Sequence, residues 1–431
     1  MYPLKSRANY FKSGGGVIEF ECVSMRRRKG QLAERIEFLS SALGNQLNLA
    51  RCKQAALLLL LPALPSPGLA DAHQSDDEKR SSLSTAMVGA LALRSSSDEQ
   101  GSLCPADQWE SGVYSMTRNG FTRRFRVHVP ANYDPSIHTP LIVAFHGWGG
   151  DEDEFLGNAA VRSNLDQTGL ITVAPVGLGP GEPDFNYASW SFSGSSTGLD
   201  GDGVNSLVAG DTAEICDASA TPTYTYGSCS GVAANTCSWT HCLDNDIEFA
   251  LDLVEEVSNN LCIDPDRVFA VGGSNGGMFT WDLVRDSKGA EVFAATASLT
   301  GLPHRGHLEP PASTGGKPAL LITGTNDRTV PPGAWGDERF TTTTDGDVFY
   351  YASATSVTKV WAEAAGCDVT SSATPFDVGV DGLECRAWSG CAADSEWPPV
   401  LDCRRAMGHI YGLSWSWPLI TDFFSRVSAE Q

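Results

Sequence analysis

Apolar residues fall into two patterns that alternate along this chain. Short unbroken runs begin at Leu141, Ile171, Val268, Val292 and Ala319, and they read as strands buried on both faces of a parallel sheet. Between them lie stretches of helical period. The clearest is 246–261, where Ile247, Ala250, Leu251, Val254 and Val257 recur at helical spacing. A further amphipathic helix is expected near the end of the chain. Strands alternating with helices predict an α/β fold, a mostly parallel, doubly wound sheet with helices on both faces. With 431 residues, 42% of them hydrophobic, the chain can bury one large core plus appendages.

One strand–helix junction carries chemistry. The strand Arg267-Val268-Phe269-Ala270-Val271 runs into Gly272-Gly273-Ser274-Asn275-Gly276-Gly277, and a helix is expected from Met278 to about Val284. Strand, Gly-x-Ser-x-Gly, helix is the setting of a nucleophile elbow. A serine lifted clear of a sheet needs strained backbone, and a side chain two positions to either side would clash. Gly272 and Gly276 remove those clashes, and Gly273 and Gly277 let the helix pack close to the strand. Ser274 is the candidate nucleophile.

In such a fold an acid and then a histidine follow the serine. The apolar strand 318–322 leads into Thr323-Gly324-Thr325-Asn326-Asp327, which puts one carboxylate just past a strand end, able to orient an imidazole. Three histidines follow Ser274: His304, His307 and His409. The first two precede the acid, so His409 is the candidate base. A serine hydroxyl is too weakly acidic to attack a carbonyl unaided; a base within reach and an acid behind it supply the activation. Oxyanion donors are expected from the amide of Asn275 and from the loop His146-Gly147-Trp148-Gly149-Gly150 after strand 141–145, with the amide of Trp148 as donor. His146 itself is expected to be structural.

These segments together resemble the secreted polyhydroxybutyrate depolymerase and feruloyl esterase family of α/β-hydrolases. The resemblance rests on Phe125-Arg126-Val127-His128-Val129-Pro130 with Tyr133, on 140–150, and on Asp246-Ile247-Glu248-Phe249. It continues with Cys262-Ile263-Asp264-Pro265-Asp266-Arg267-Val268 entering the elbow, with 324–331, and with Met407-Gly408-His409. It covers roughly 104–427. It implies the α/β-hydrolase fold and a Ser274–Asp327–His409 triad acting on esters: ferulate on xylan, short hydroxyalkanoate polyesters, or acetyl and related groups. Two departures stand out. Relatives often carry Gly-His-x-Trp-Pro at the base, whereas Ile410-Tyr411-Gly412 follows His409 here, and the stretch 206–242 is unusually rich in cysteine. Both bear on acyl specificity rather than on the triad.

The amino-terminal part of the chain differs from the rest. Residues 1–72 hold 10 Lys+Arg and 5 Asp+Glu, and an apolar tract at 55–64 follows Arg51 and Lys53 and precedes the small residues Gly68, Ala70 and Ala72. That order reads as a leader with a secretory signal segment. Residues 73–103, Ser-rich and acidic, read as a linker, and 104–431 as the catalytic domain. Ten cysteines from Cys104 to Cys403, with no Cys-x2-Cys pair, suit disulfides in an exported protein better than a metal site. One bridge is expected to anchor the His409 loop through Cys403. Loss of 1–72 would take the net charge from −22 to −27, which argues against nucleic acid and anionic membranes as partners.

Weaker signals remain. The pair His304-x-x-His307 lacks further metal ligands, and Asp200-Gly201-Asp202-Gly203 and Asp345-Gly346-Asp347 lack the glutamate of a calcium loop; neither a metal nor a cofactor is expected. The long loop 210–239 should wall a substrate cleft, and Trp148 and Trp190 are candidate platforms for a sugar or phenolic ring. The reading favoured by the whole is a secreted, monomeric serine carboxylesterase of feruloyl esterase type on plant cell-wall polysaccharide. Its alternatives are a polyhydroxybutyrate depolymerase, a general short-acyl or acetyl esterase, or a hydrolase-fold protein that binds without catalysis.

Overall fold

The computed structural model describes residues 104–106, 108–179, 187–195, 226, 228, 240–305, 315–343, 349–391 and 397–428, all within the compact unit Glu99–Gln431. The expected leader and linker, most of the loop 210–239, His307 and both calcium-like fragments lie outside them.

The chain opens with an antiparallel hairpin, β1 (Gly112–Arg118) and β2 (Phe121–His128). Strand β3 (Thr139–Phe145) is followed by a short helix α1 (Asp153–Leu156) and by α2 (Ala159–Thr168), then β4 (Ile171–Pro175). Helix α3 (Asp246–Ser258) precedes β5 (Ile263–Gly273), α4 (Asn275–Arg285), α5 (Ser287–Val292), β6 (Ala295–Leu299) and β7 (Ala319–Gly324). A small ribbon, β8 (Phe340–Thr342) with β9 (Tyr350–Ala352), leads to α6 (Ala354–Ala364). The strands β10 (Thr374–Phe376), β11 (Leu383–Ala387) and β12 (Val400–Arg405) follow, and α7 (Leu413–Ser428) closes the fold.

One ten-stranded sheet runs in the order β1-β2-β4-β3-β5-β6-β7-β12-β11-β10. Its middle, from β4 to β12, is parallel, and an antiparallel pair flanks each side. The expected α/β class is met: this is a mostly parallel sheet with helices on both faces. Alternation along the central strands explains why both faces are covered. Leu141, Val143 and Phe145 of β3, with Val268 and Ala270 of β5, pack on one side with α3, α4 and α6. Ile142 and Ala144, with Phe269 and Val271, pack on the other with α1, α2 and α7. A strand buried on both sides has no polar position to spare, so it shows in the sequence as an unbroken apolar run.

Two helix starts have clear local causes. The Asn158 side chain accepts from the amides of Ala160 and Val161 at the start of α2, and Asn245 does the same for Ile247 and Glu248 at α3. Val292 ends helix α5 rather than opening a strand, which begins only at Ala295. Disulfides join Cys104–Cys262, Cys367–Cys391 and Cys385–Cys403. The last ties β11 to β12, the strand that delivers the His409 loop, as expected for Cys403.

Candidate active site

All the candidate groups sit beyond the carboxyl ends of adjacent parallel strands, where an open α/β sheet places its ligands. Ser274 follows β5, Asp327 follows β7, His409 follows β12, and the 146–150 loop follows β3.

Ser274 has φ 49° and ψ −114°, and α4 begins at the next residue. This is the left-handed region, costly for a side-chain-bearing residue. The neighbouring glycines account for how it is tolerated. A Cβ on Gly276 would stand 2.5 Å from the His146 carbonyl oxygen, and one on Gly272 would stand 2.6 Å from the Gly277 nitrogen. Gly277 comes within 2.6 Å of Ser298 Oγ in the same sense, so α4 lies close on β6. Gly273 makes room instead for the ring of Tyr411. The backbone is further held by the Ser274 amide donating to Leu299 O at 2.8 Å.

His409 Nε2 lies 2.8 Å from Ser274 Oγ, and His409 Nδ1 lies 2.7 Å from Asp327 Oδ2. A carboxylate accepts, so Nδ1 carries the proton and Nε2 is left to accept from the serine hydroxyl. Asp327 is buried, and its other oxygen accepts from the amides of Thr329 and Val330, both at 2.9 Å. Its carboxylate is therefore fixed from both sides. The Asp327 and His409 loops are strapped together because β7 and β12 are parallel neighbours. The Thr325 amide donates to Arg405 O at 2.8 Å and the Asn326 amide to Met407 O at 3.0 Å.

The 146–150 loop is equally constrained. His146 is fully buried; its Nδ1 donates to Gly147 O at 2.6 Å and its Nε2 accepts from the Gly177 amide at 2.9 Å. Burial pushes its pKa down to about 4, so it is neutral and structural. The amides of Gly147, Gly149 and Gly150 donate to Glu154 Oε1, Ala188 O and Gly147 O. The Asn275 amide opens α4, among the first-turn N–H groups that have no acceptor within the helix.

The structure corrects one expectation. Trp190 is fully buried: it packs against Phe145, Phe249 and Phe279, and its indole N–H donates to His146 O at 2.9 Å. It offers no face to a ligand. Its backbone matters more: the Asn275 side chain accepts from Trp190 N at 2.7 Å and donates to Trp190 O at 3.0 Å. Trp148 is only partly buried and lies 4.9 Å, ring to ring, from Tyr187, which is 51% exposed. The Trp148 indole donates to the Tyr226 hydroxyl at 2.6 Å, and that hydroxyl donates to Tyr187 O at 2.6 Å. Burial raises the Tyr226 phenol to about 12, so it stays a neutral donor.

Sequence reasoning missed several groups near the site. Tyr187 sits at φ 65° in an otherwise unremarked stretch. Glu154 and Tyr411 meet beneath the 146–150 loop; burial raises the pKa of both, and the negative charge of Glu154 raises Tyr411 further. A buried charge network holds the Trp190 segment. Arg123 pairs with Asp244 at 3.2 Å and Asp246 at 2.7 Å, and Asp246 also takes His241 Nε2 and the amide and hydroxyl of Ser191. Burial alone would raise the Asp246 pKa, but His241 and Arg123 hold it well below the ordinary carboxylate range.

Of the two histidines between Ser274 and Asp327, His304 lies among the described residues; it is buried and stacks on Phe192 and Tyr351, with Nδ1 3.0 Å from Tyr350 O. Among the described residues, Cys104, His138 and Cys262 form the one group of metal-ligating types, and its two sulfurs are bonded to each other. A groove of about 640 Å³ lined by Pro140, Leu170, Arg267 and Phe424 opens at the amino ends of the strands and includes none of the groups above.

No family model matches this sequence. A curated protein from Nocardia uniformis subsp. tsuyamanensis, described as "Putative esterase NocK", is 27% identical over 218 residues, which is 49% of this chain. The chain spans about half the length of that relative, 47%. Among solved structures, an acetyl xylan esterase from Aspergillus awamori aligns over 73% of this chain and 99% of its own, with a TM-score of 0.43 and 15% identity. A ferulic acid esterase aligns over 45% of this chain and 61% of its own, with a TM-score of 0.28 and 11% identity.

Proposed function

We propose that this chain is a serine carboxylic ester hydrolase. The observation that carries the reading is the continuous relay from Ser274 Oγ through His409 to Asp327, at 2.8 and 2.7 Å. As the hydroxyl attacks an ester carbonyl, His409 Nε2 takes its proton, and Asp327 stabilises the imidazolium and holds its tautomer. The carbonyl oxygen, now an anion, is met by the amides of Asn275 and Trp148; an amide that stabilises charge only in the transition state is worth ~10²–10³ in kcat. His409 then protonates the leaving alkoxide. Water resolves the acyl-enzyme by the reverse sequence, with His409 again taking and returning the proton.

The substrate we favour is a feruloyl or related phenolic ester on plant cell-wall xylan. The part-exposed rings of Trp148 and Tyr187 support it: they stand next to the oxyanion loop and suit a planar acyl or sugar ring. Export from the cell is supported by the apolar tract at 55–64 and by the disulfides among the described residues. Among the described residues no helix is long and apolar enough to cross a membrane.

Hydrolysis of methyl ferulate, p-nitrophenyl acetate and a hydroxybutyrate oligomer, each by the full chain and by Ser274→Ala, tests the reading. Preference for methyl ferulate, lost in Ser274→Ala, is the expected result. Activity on the acetate alone removes the phenolic substrate and leaves a short-acyl esterase; preference for the oligomer makes it a depolymerase. Activity surviving in Ser274→Ala would overturn the reading altogether.

A further inference from the structure

We infer that Glu154 and Tyr411 form a positioning pair that locks the oxyanion loop, the nucleophile turn and the base loop into one unit. The inference rests on the esterase reading above, and it concerns residues that touch no reacting atom.

The geometry is specific. Glu154 lies in α1, directly after the glycine loop, and its Oε1 accepts from the Gly147 amide at 2.8 Å. Its Oε2 fills the space that a side chain at Gly150 would need. The carboxylate thus sits under the loop and takes hold of the amide immediately before Trp148. The Tyr411 hydroxyl converges on the same spot: a Cβ on Gly147 would run into it and would stand 3.4 Å from Glu154 Oε1. Tyr411 stands two residues after His409, and its ring lies against Gly273, where an added Cβ would come 2.6 Å from Cε2. On its other side the ring stacks on Phe155, with centroids 6.0 Å apart. One half-buried carboxylate and one phenol therefore touch the segments that carry Trp148, Ser274 and His409.

The physical need is plain. Peptide planes in a glycine loop rotate at low cost, and an oxyanion donor works only if its direction is set before the charge develops. Fixing the Gly147 amide fixes the plane that leads into Trp148, and a charge-assisted bond from a carboxylate is a strong way to do it. Taking a carboxylate even partly out of water costs stability unless it is hydrogen-bonded, so a purely structural site would be better filled by an apolar side chain. Tyr411 closes the same spot with its hydroxyl and at the same time spaces the base loop from the nucleophile turn.

Kinetics of Glu154→Ala, Glu154→Gln and Tyr411→Phe on p-nitrophenyl acetate test the inference, with Ser274→Ala in parallel. A pair that positions the oxyanion donors acts on the transition state and not on ground-state binding. Glu154→Ala is expected to lower kcat by ~10²-fold, as for a displaced oxyanion donor, with KM changed less than about three-fold. Glu154→Gln keeps an acceptor for Gly147 and is expected to recover most of that loss. Phosphonylation of Ser274 by a fluorophosphonate, which develops a similar oxyanion, should slow in parallel. Tyr411→Phe removes one oxygen and should fold even if Glu154→Ala does not; it is expected to lower kcat by ~10-fold with KM unchanged. Unchanged kcat in both Glu154→Ala and Tyr411→Phe, or a loss that falls on KM, overturns the inference. So does a Glu154→Gln variant as impaired as Glu154→Ala. Ser274→Ala separates the two failures: if it retains activity, the esterase mechanism falls and this inference with it, whereas if it is dead while the pair's variants are unaffected, only the inference falls.

Discussion

Gly324 offers a direct way to ask whether catalysis depends on how closely the acid and base loops approach. It ends β7, its φ lies outside the left-handed region, and so alanine is conformationally acceptable there. What forbids alanine is space. A Cβ would stand 2.5 Å from the Gly408 carbonyl oxygen and closer still to that of Met407. A carbon–oxygen contact needs ~3.3 Å, so the 407–408 backbone must retreat by ~0.8–1 Å. His409 is the next residue. If it follows, the 2.8 Å contact from Nε2 to Ser274 Oγ opens to ~3.6–3.8 Å, beyond hydrogen-bonding range. A displacement of about 1 Å in a catalytic group costs ~10²-fold in rate, or ~2.7 kcal/mol of barrier. Gly324→Ala should therefore lower kcat on p-nitrophenyl acetate by ~10²-fold. Binding of substrate should change little, because no proposed binding group moves. Steady-state kinetics with a thermal melt on the same sample reads both. A folded Gly324→Ala protein with kcat within about three-fold of the parent would refute the argument that this close approach sets the relay.

The remaining predictions concern the supporting structure. Asp327→Asn should leave the fold intact and reduce kcat by ~10⁴-fold, because the amide favours the wrong imidazole tautomer; kcat within ten-fold of wild type would exclude Asp327 as the orienting acid. Arg123→Met should destabilise by ~1.5–3 kcal/mol, since it removes a buried guanidinium from Asp244 and Asp246 while Arg118 and Asn119 still hold the first and His241 and Ser191 the second, and a denaturant titration reads the loss. Trp190→Ala should also destabilise by ~3–5 kcal/mol through the cavity it leaves; a change confined to KM, with stability unaltered, would restore Trp190 as a ligand platform. His146 has a folded pKa of about 4, below the ordinary 6.5. Its contribution is thus complete above pH 6.5 and is lost as pH falls through 4, since only the unfolded chain takes up the proton in between. The loss amounts to ~3 kcal/mol, and an asparagine at 146 should flatten that part of the stability–pH curve.

What the sequence made legible was what is local or ordered along the chain. The elbow at Ser274 is spelled out in a few consecutive residues, and strands buried on both sides announce themselves as apolar runs at Leu141, Val268 and Ala319. The candidate acid and base came from chain order, and the structure brings Asp327 and His409 to Ser274. Boundaries were less legible. Helix α4 starts at Asn275 rather than Met278, because its first turn is glycine facing backbone instead of apolar side chains facing a core. The antiparallel flanks escaped notice because their faces are half exposed, as the alternating burial along β1 shows, and they leave no apolar run. Trp190 was misjudged since composition does not distinguish a core indole from a surface one. Glu154 and Tyr411 were invisible for a different reason: they are far apart in the chain and meet only through the tertiary fold.

Asn275 has a consequence for anyone wishing to redesign this protein. The residue after a nucleophile is commonly treated as replaceable, because only its main chain faces the reaction. Here its amide group also clamps both the N–H and the C=O of Trp190, the segment through which Gly149 is held by Ala188. Changes at 275 would therefore propagate into the glycine loop without altering any main-chain donor directly. A saturation library at this position would reveal few tolerated side chains, and its survivors would report on loop rigidity rather than on substrate choice.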